Sequence, residues 1–413
     1  MTGLSAPTIF DAPKATRDFA IYPDRYDPSV PLVSVVIVNY NYGRYIRAAL
    51  ASVSRQTYPN IECVVVDDAS GDDSLARIHG ARADLGLFDA VTILPMSVNG
   101  GQTAASAAGL GVTHGAYVVF LDADDELEAP CIEAHILAHL SSRIAVGFST
   151  VDTINVVDDQ PVTTTTKGFS TYVASGKGQK PSMFREFGTG EWQGWYAGRR
   201  PVVTTGEIHF APAPKADPWI WSPASGICYR RDAITRLLTG SWSTRIRFNT
   251  DAYLARAVAA LHGSILIDRP LMRYRIHGGN SMVRNAPLDM SLNYAPDLCL
   301  EHDRAALATA IRTLFGELPN PPHSYQSPSC FWKAVSALNS VWPGLPRTPD
   351  GRMFLATMVR DHEDALVAAF GHGYTGLFML RTRADIIKGV GHLARAAARR
   401  LSRGRGPMNT DGF

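Results

Sequence analysis

The chain has 413 residues, of which 46% are hydrophobic and 19% charged, and its formal net charge is +2. That apolar share offsets the ordering entropy of folding and excludes a wholly disordered chain, while the length suits two or three domains of ~150 residues. Near-neutral charge argues against a global field for nucleic acid, no apolar run approaches the ~20 residues that span a bilayer, and Cys63, Cys131, Cys228, Cys299 and Cys330 are scattered like unpaired thiols of a reducing compartment.

Residues 1–30 carry Pro7, Pro13, Pro23 and Pro28, which break any helix, and lack the apolar core of a secretory signal. From Pro31 the pattern changes. Val33-Ser-Val-Val-Ile-Val38 is an apolar, β-branched run, expected as a strand buried on both faces. Tyr45, Ile46, Ala49, Leu50 and Val53 then recur at helical spacing, and 61–66 reads as a second strand. Helix 74–87, strand 91–94, helix 102–112, strand 116–121, helix 130–140 and strand 144–150 continue the alternation. This alternation predicts βαβ units and a mostly parallel sheet flanked by helices. Residues 151–225, rich in Thr, Gly and Pro, interrupt it as an insertion. Regular structure resumes with 227–230, a helix over 251–261 and an extended segment over 264–276. Residues 286–413 read as mainly helical, with proline-rich breaks at 319–328 and 343–349. The expected organisation is an irregular segment 1–30, an α/β domain 31–285 and a helical region 286–413.

In such sheets ligands bind where the strands end. The loops leaving three strands carry Asn39-Tyr40-Asn41, Asp67-Asp68 and Asp122-Ala123-Asp124-Asp125, so three polar clusters converge on one crevice. The carboxylates after the buried strand repel one another; a divalent cation shared with phosphate is one counter-charge, and a solvated helix cap is the plainer reading. Asp67 and Asp68 suit hydrogen bonds from a ribose or a base imide, or simple turn formation. Tyr40 suits stacking on a nucleobase, though Asn39-Tyr40-Asn41 also reads as a strand-to-helix turn. The glycines of Asn99-Gly100-Gly101-Gln102 allow either close backbone approach to a ligand or a tight turn.

Together, Val33-Ser-Val-Val-Ile-Val-Asn-Tyr-Asn-Tyr-Gly43, Ser52-Val-Ser-Arg-Gln-Thr-Tyr-Pro-Asn-Ile-Glu-Cys-Val-Val-Val-Asp-Asp-Ala-Ser70 and Asn99-Gly-Gly-Gln102 with Ala116-Tyr-Val-Val-Phe-Leu-Asp-Ala-Asp-Asp125 resemble the family-two glycosyltransferases. These are inverting nucleotide-sugar enzymes of the GT-A fold. The resemblance runs over 31–150 and intermittently over 220–285. It implies a GT-A-type α/β fold with an inserted acceptor-side region and a C-terminal helical extension. It implies that Asn39, Tyr40, Asn41, Asp67, Asp68, Asn99, Gly100 and Asp122 hold the donor nucleotide. Asp124 would ligate a divalent metal, manganese or magnesium, on the diphosphate. In Arg247-Phe-Asn-Thr-Asp-Ala-Tyr-Leu-Ala-Arg256, Asp251 matches the general base, with a helix N-cap as its plain alternative, and Thr250 stands where Glu is commoner. His277-Gly-Gly-Asn-Ser281 resembles a downstream segment that often contributes a metal or phosphate contact, which makes His277 a second expected metal ligand. Ala105-Ser106-Ala107 replaces a frequent Ala-Arg-Asn, a departure close to the donor sugar.

Trp192, Trp195, Trp219, Trp221 and Trp242 cluster in sequence. They form either an acceptor-binding wall, for which Trp219 and Trp221 are best situated, or the small core of the insertion. In the basic stretch 381–405, Ile386, Val390, Leu393, Ala397 and Leu401 share an arc opposite Lys388, Arg395, Arg399 and Arg403. That pattern suits an anionic membrane surface or a helix docked on its own domain. Charges without recognition motifs argue against nucleic acid. The expectation is a metal-dependent inverting hexosyltransferase that uses a UDP-sugar and a glycan or lipid-linked acceptor. Its expected location is cytoplasmic, peripheral on the inner face of the cell membrane. Thr250 and Ala105-Ser106-Ala107 also allow a nucleotide-sugar-binding or scaffold protein without catalysis. A sugar nucleotidyltransferase fits less well, because Asn39-Tyr-Asn-Tyr-Gly43 lacks a Gly-rich, basic triphosphate loop.

Overall fold

The computed structural model describes residues 27, 29–87, 90–164, 167–186, 200–212, 219–239, 246–277, 279–280, 308–316, 318, 328–329, 331–332, 335–336 and 349–403. Expectations for most of segment 1–30, for the two proline-rich breaks and for Trp192, Trp195, Trp242, Ser281, Cys299 and Cys330 lie outside the described residues.

Strand β1 (Val33–Asn39) is solvent-free over its first five residues. Successive strand side chains point to opposite faces, so such a strand needs cover on both. Val33, Val35 and Ile37 share an apolar cluster with Ile46, Ala49, Leu50 and Val53 of α1 (Ile46–Ser54). Val36 faces the other way, against α3 (Gln102–Val112), where a Cβ on Gly109 would come within 2.3 Å of Val36 Cγ1. That close approach admits only glycine.

β1 pairs in parallel with β2 (Ile61–Asp67) and β4 (Tyr117–Asp122), and β2 with β3 (Val91–Pro95); α2 (Ser74–Asp84) lies between β2 and β3 in sequence. The register sets Asn39 beside Asp67 and Val38 beside Asp122, so the polar loops leave the sheet at one level. Beyond β4, β9 (Ile227–Arg230) runs antiparallel and joins β6 (Phe148–Val157). β10 (Ser264–Ile276) lies parallel to β6 and pairs antiparallel with β5 (Glu126–Leu127) and β8 (Ile208–Ala211). The path is β3-β2-β1-β4-β9-β6-β10-β5. The result is the expected α/β class, a mostly parallel central sheet flanked by helices, with antiparallel additions.

The largest departure from the sequence reading lies around residue 151. β6 starts at Phe148 and runs through 157, so the expected break at 151 falls inside a strand. β7 (Gln160–Thr164) then folds back on β6 through Asp158 and Asp159, both at positive φ, 47° and 61°, as a tight hairpin turn requires. The stretch read as an insertion therefore contributes sheet as well as α5 (Lys167–Ala174). Helices α4 (Cys131–Ser141) and α6 (Arg231–Thr239) complete this part, which also holds the first residues of α7 (Thr250–His262).

The chain divides into two compact units: 1–211 with 218–252 and 263–302, and 212–217 with 253–262 and 303–413. Within the second, α8 (Pro349–Asp361), α9 (Glu363–Thr382) and α10 (Ile386–Arg403) are the long helices. Phe331 and Phe378 are buried, Trp332 stacks on Phe378 at 4.9 Å, and Gly376 of α9 lies against Gly389 of α10. α10 buries Gly389 and His392, while Ile386, Ile387 and Val390 stay 58%, 86% and 55% exposed. It is thus docked along one face and bare along another. Among the described residues no helix is long and apolar enough to cross a membrane.

Candidate active site

At the ends of β1 and β2 the polar side chains hold one another. Asn39 Nδ2 donates to Asp67 Oδ1 at 2.7 Å, and Ser70 Oγ donates to the same oxygen at 2.7 Å. Asn41, at φ 60°, accepts the Gly71 N–H at 2.8 Å. Asp68 accepts the amides of Gly100 and Gly101 at 2.7 and 2.8 Å, which ties the end of β2 to the start of α3. Tyr40 projects free of this network, 46% exposed, on the wall of a cleft of about 400 Å³. Asp68, Asn99, Asp122 and Asp124 line the same cleft.

The turn after β4 collects charge where water is scarce. Asp125 accepts Ser225 Oγ at 2.7 Å and the Arg275 N–H at 3.0 Å, and the Asp122 N–H donates to Ser225 Oγ at 3.1 Å. Burial, then Asp124, then Asp251 push the Asp122 carboxyl up to about 8. Burial, then the Asp124 and Asp122 carboxylates, hold Asp125 well above the ordinary range. The influence of Asp251 on Asp122 shows that the expected base, 129 positions away, shares this electrostatic environment.

β10 delivers the other wall. Arg275 Nε donates to the Asp124 carbonyl at 3.0 Å, and its guanidinium also binds Glu126 at 2.7 Å and Asp159. His277 Nε2 lies 3.0 Å from Asp124 Oδ2, and Gly279 N–H donates to His277 Nδ1 at 3.0 Å. Its ring stacks on Tyr45 at 4.9 Å and meets the edge of Tyr42 at 5.5 Å. With Nδ1 occupied, Nε2 is the nitrogen turned to the carboxylate. Two donors 3.0 Å apart match neighbouring positions of an octahedral cation with bonds of ~2.1 Å. Among the described residues no group of three or more His, Cys, Asp or Glu forms a metal cluster. As Nδ1 accepts the Gly279 N–H, Nε2 donates to Asp124 Oδ2; a cation here would be held by Asp124 and, in place of that hydrogen bond, by His277, with its remaining ligands from phosphate and water.

The loop before α7 is latched to the start of α3. Gln102 Nε2 donates to Asp122 Oδ1 at 3.0 Å, while Gln102 Oε1 accepts the Thr250 N–H at 3.2 Å. Thr103 and Thr250 hydroxyls meet at 2.8 Å, and the Gln102 N–H donates to the Arg247 carbonyl at 2.9 Å. Gly101 sits at φ 87°, and a Cβ there would strike the Arg247 carbonyl at 2.7 Å. Asp251 Oδ1 accepts the Ala252 N–H at 2.8 Å at the first turn of α7.

Trp221 requires a correction. Its indole is 1% exposed, packs edge-on to Phe148 at 5.5 Å and donates to Ser264 Oγ at 2.9 Å, so it serves the core and offers no face to an acceptor. Trp219 stands edge-on to Trp221 at 5.0 Å, half-buried. Neither is among the residues lining the cleft. Ala105 and Ser106 are buried within α3. Gln102, Ser225, Arg247, Asn249 and Arg275 were given no role from sequence. Gln102, Arg247, Asn249 and Arg275 do stand inside or beside quoted motifs, and that adjacency was the available signal.

Residues 34–194 match the family described as Glycosyl transferase family 2. Over that segment the chain is similar to the family. An uncharacterized glycosyltransferase of Nostoc sp. strain PCC 7120 is 28% identical over 253 residues, 60% of this chain and 66% of that protein. The Escherichia coli protein named UDP-Glc:alpha-D-GlcNAc-diphosphoundecaprenol beta-1,3-glucosyltransferase WfgD is 30% identical over 125 residues, 30% of this chain and 47% of its own. The crystal structure of S. aureus TarS 1-349 in complex with UDP-GlcNAc superposes over 91% of this chain and 93% of that one, with a TM-score of 0.44 and 14% identity. The matched segments therefore span just under two thirds of the Nostoc relative and less than half of the E. coli one.

Proposed function

We propose that the protein transfers a hexose from a nucleotide-diphosphate sugar, a UDP-sugar, to a hydroxyl of a glycan or lipid-linked acceptor with inversion. The reading rests on one observation: carboxylates and aromatics from separate strand ends line a single cleft together with the loop that carries Asp251. Tyr40 and Asp68 suit the nucleoside, and Asn99 and Gly100 border it. Asp251 accepts the acceptor proton as the hydroxyl oxygen attacks the anomeric carbon and the bond to the diphosphate breaks. Asp124 and His277 would hold a divalent cation, which would neutralise charge on the leaving diphosphate. The name of the E. coli relative, with its UDP-Glc donor and diphosphoundecaprenol acceptor, favours this substrate class. The bare face of α10 suits an anionic membrane, where lipid-linked acceptors reside, and a cytoplasmic, peripheral location follows from this reading.

The test is release of nucleoside diphosphate from a panel of UDP-sugars with manganese. Asp251→Asn keeps an acceptor for the Ala252 N–H and the shape of the site, and is expected to lower turnover ~10²–10⁴-fold while the thermal shift with UDP persists. Wild-type protein that releases no nucleoside diphosphate from any donor, or a fully active Asp251→Asn, overturns the proposal.

A further inference from the structure

Asn249 has no place in the reading above, yet it combines three features. Its side chain is 8% exposed and lines the cleft beside Asp122 and Asp124. Its Nδ2 has no hydrogen-bond partner among the described residues. Its backbone is left-handed, with φ 58°, a conformation that asparagine tolerates and most side chains resist. A buried amide donor without a partner is costly, and its persistence calls for an explanation.

The loop cannot drift to relieve it. On one side the Arg247 carbonyl accepts the Gln102 N–H at 2.9 Å and the Arg247 guanidinium donates to Asn99 Oδ1 at 2.5 Å. On the other, Thr250 is fixed through its N–H to Gln102 Oε1 at 3.2 Å and through its hydroxyl to Thr103 at 2.8 Å. The amide is therefore braced from both ends and held in the cleft wall.

Resting on the glycosyl-transfer reading, we infer that Asn249 Nδ2 donates a hydrogen bond to an oxygen of the transferred sugar and so helps select the donor. The nucleoside lies at the ends of β1 and β2 and the diphosphate lies by Asp124. The reacting carbon must then stand between Asp124 and Asp251, and Asn249, two residues before Asp251, borders that interval. The part of the donor there is the sugar ring, whose hydroxyl oxygens accept such a bond. A site built to hydrogen-bond a hydroxyl rejects the analogue that lacks it, which makes this residue a reader of sugar stereochemistry.

The test uses Asn249→Gly, which keeps the left-handed backbone and removes the amide, and Asn249→Asp, which keeps the shape and exchanges the donor for an acceptor. UDP alone, UDP-hexoses and their singly deoxygenated analogues are titrated with manganese present, and turnover is measured in parallel. UDP affinity of Asn249→Gly is expected within about twofold of wild type, while affinity and kcat/KM for the preferred UDP-hexose fall ~10–100-fold. One deoxy donor is expected to cost the wild type that same factor and cost Asn249→Gly nothing. Asn249→Asp is expected to fall at least as far. The inference is overturned if Asn249→Gly handles UDP-hexoses like wild type, if UDP itself is lost in equal measure, or if no deoxy deficit vanishes. Wild type that binds UDP-hexoses but releases no UDP defeats the transfer reading alone, since the titrations still decide Asn249. Wild type that binds none of them defeats both.

Discussion

Glu62 interrupts an otherwise apolar strand, and its environment explains why. It is 6% exposed and accepts Ser34 Oγ at 2.6 Å, His114 N–H at 2.5 Å and Gly115 N–H at 2.7 Å. Arg231 closes the same network by donating to the Gly115 carbonyl at 2.5 Å and to Thr113 Oγ1 at 2.8 Å. Glu62→Ala leaves buried amides without an acceptor, so urea denaturation is expected to show a loss of about 3 kcal/mol. An unchanged midpoint would contradict that account. Other single residues were readable beforehand. Asp122 ends a strand and Asp124 and His277 lie just beyond strands, and strand ends are where a parallel sheet exposes polar side chains. Gln102 and Ser225 were not, because their partners lie on distant segments and no local periodicity marks a side chain that works across 100 or 148 positions. Trp221 misled for a related reason: composition shows an aromatic cluster, while only packing decides which face of a ring is free.

α4 carries two buried histidines on one side, four residues apart. His135 is held near 3 by burial and by His139, and His139 near 4 by burial. Unfolded, both return to about 6.5. Above that value neither state binds the proton and stability is unaffected; as pH falls below it, the unfolded chain gains protons that the folded chain refuses. Stability therefore declines from about pH 6.5 toward 4, by up to ~1.4 kcal/mol per pH unit for each histidine. In His135→Asn/His139→Gln, whose amides mimic the Nδ1 bond to Ser149 and the Nε2 bond to the Cys228 carbonyl, the slope between pH 6.5 and 5 is expected to flatten. A variant with the wild-type slope would locate the effect elsewhere. Among elements, β1, β2 and β4 were legible because continuous β-branched runs announce strands covered on both faces. β5, with two residues, and β8, with four, are too short for any periodicity. They are recruited by β10, and β10 itself was legible as one long extended run.

At the scale of the molecule, α10 joins exposed Ile386, Ile387 and Val390 to exposed Lys388, Arg395 and Arg399 on one helix. Vesicles containing anionic phosphatidylglycerol are expected to sediment the protein, vesicles of neutral phosphatidylcholine to leave it in solution, and added salt to weaken the association. Ile387→Asp/Val390→Asp is expected to abolish sedimentation, and equal recovery on both vesicle types would refute the membrane reading. The strand order carries a further consequence for biogenesis. The final strand among the described residues, β10, is seated in the interior of the sheet and supplies Arg275, whose guanidinium donates to the Asp124 carbonyl and whose backbone N–H donates to Asp125. During synthesis the emerging polypeptide must keep the long flank of β6 unpaired until residue 276 has left the ribosome. Such late, non-local pairing is slow and leaves an edge open to intermolecular association. Overexpression yield should therefore respond to chaperone supply and lower growth temperature more than to any change at the cleft.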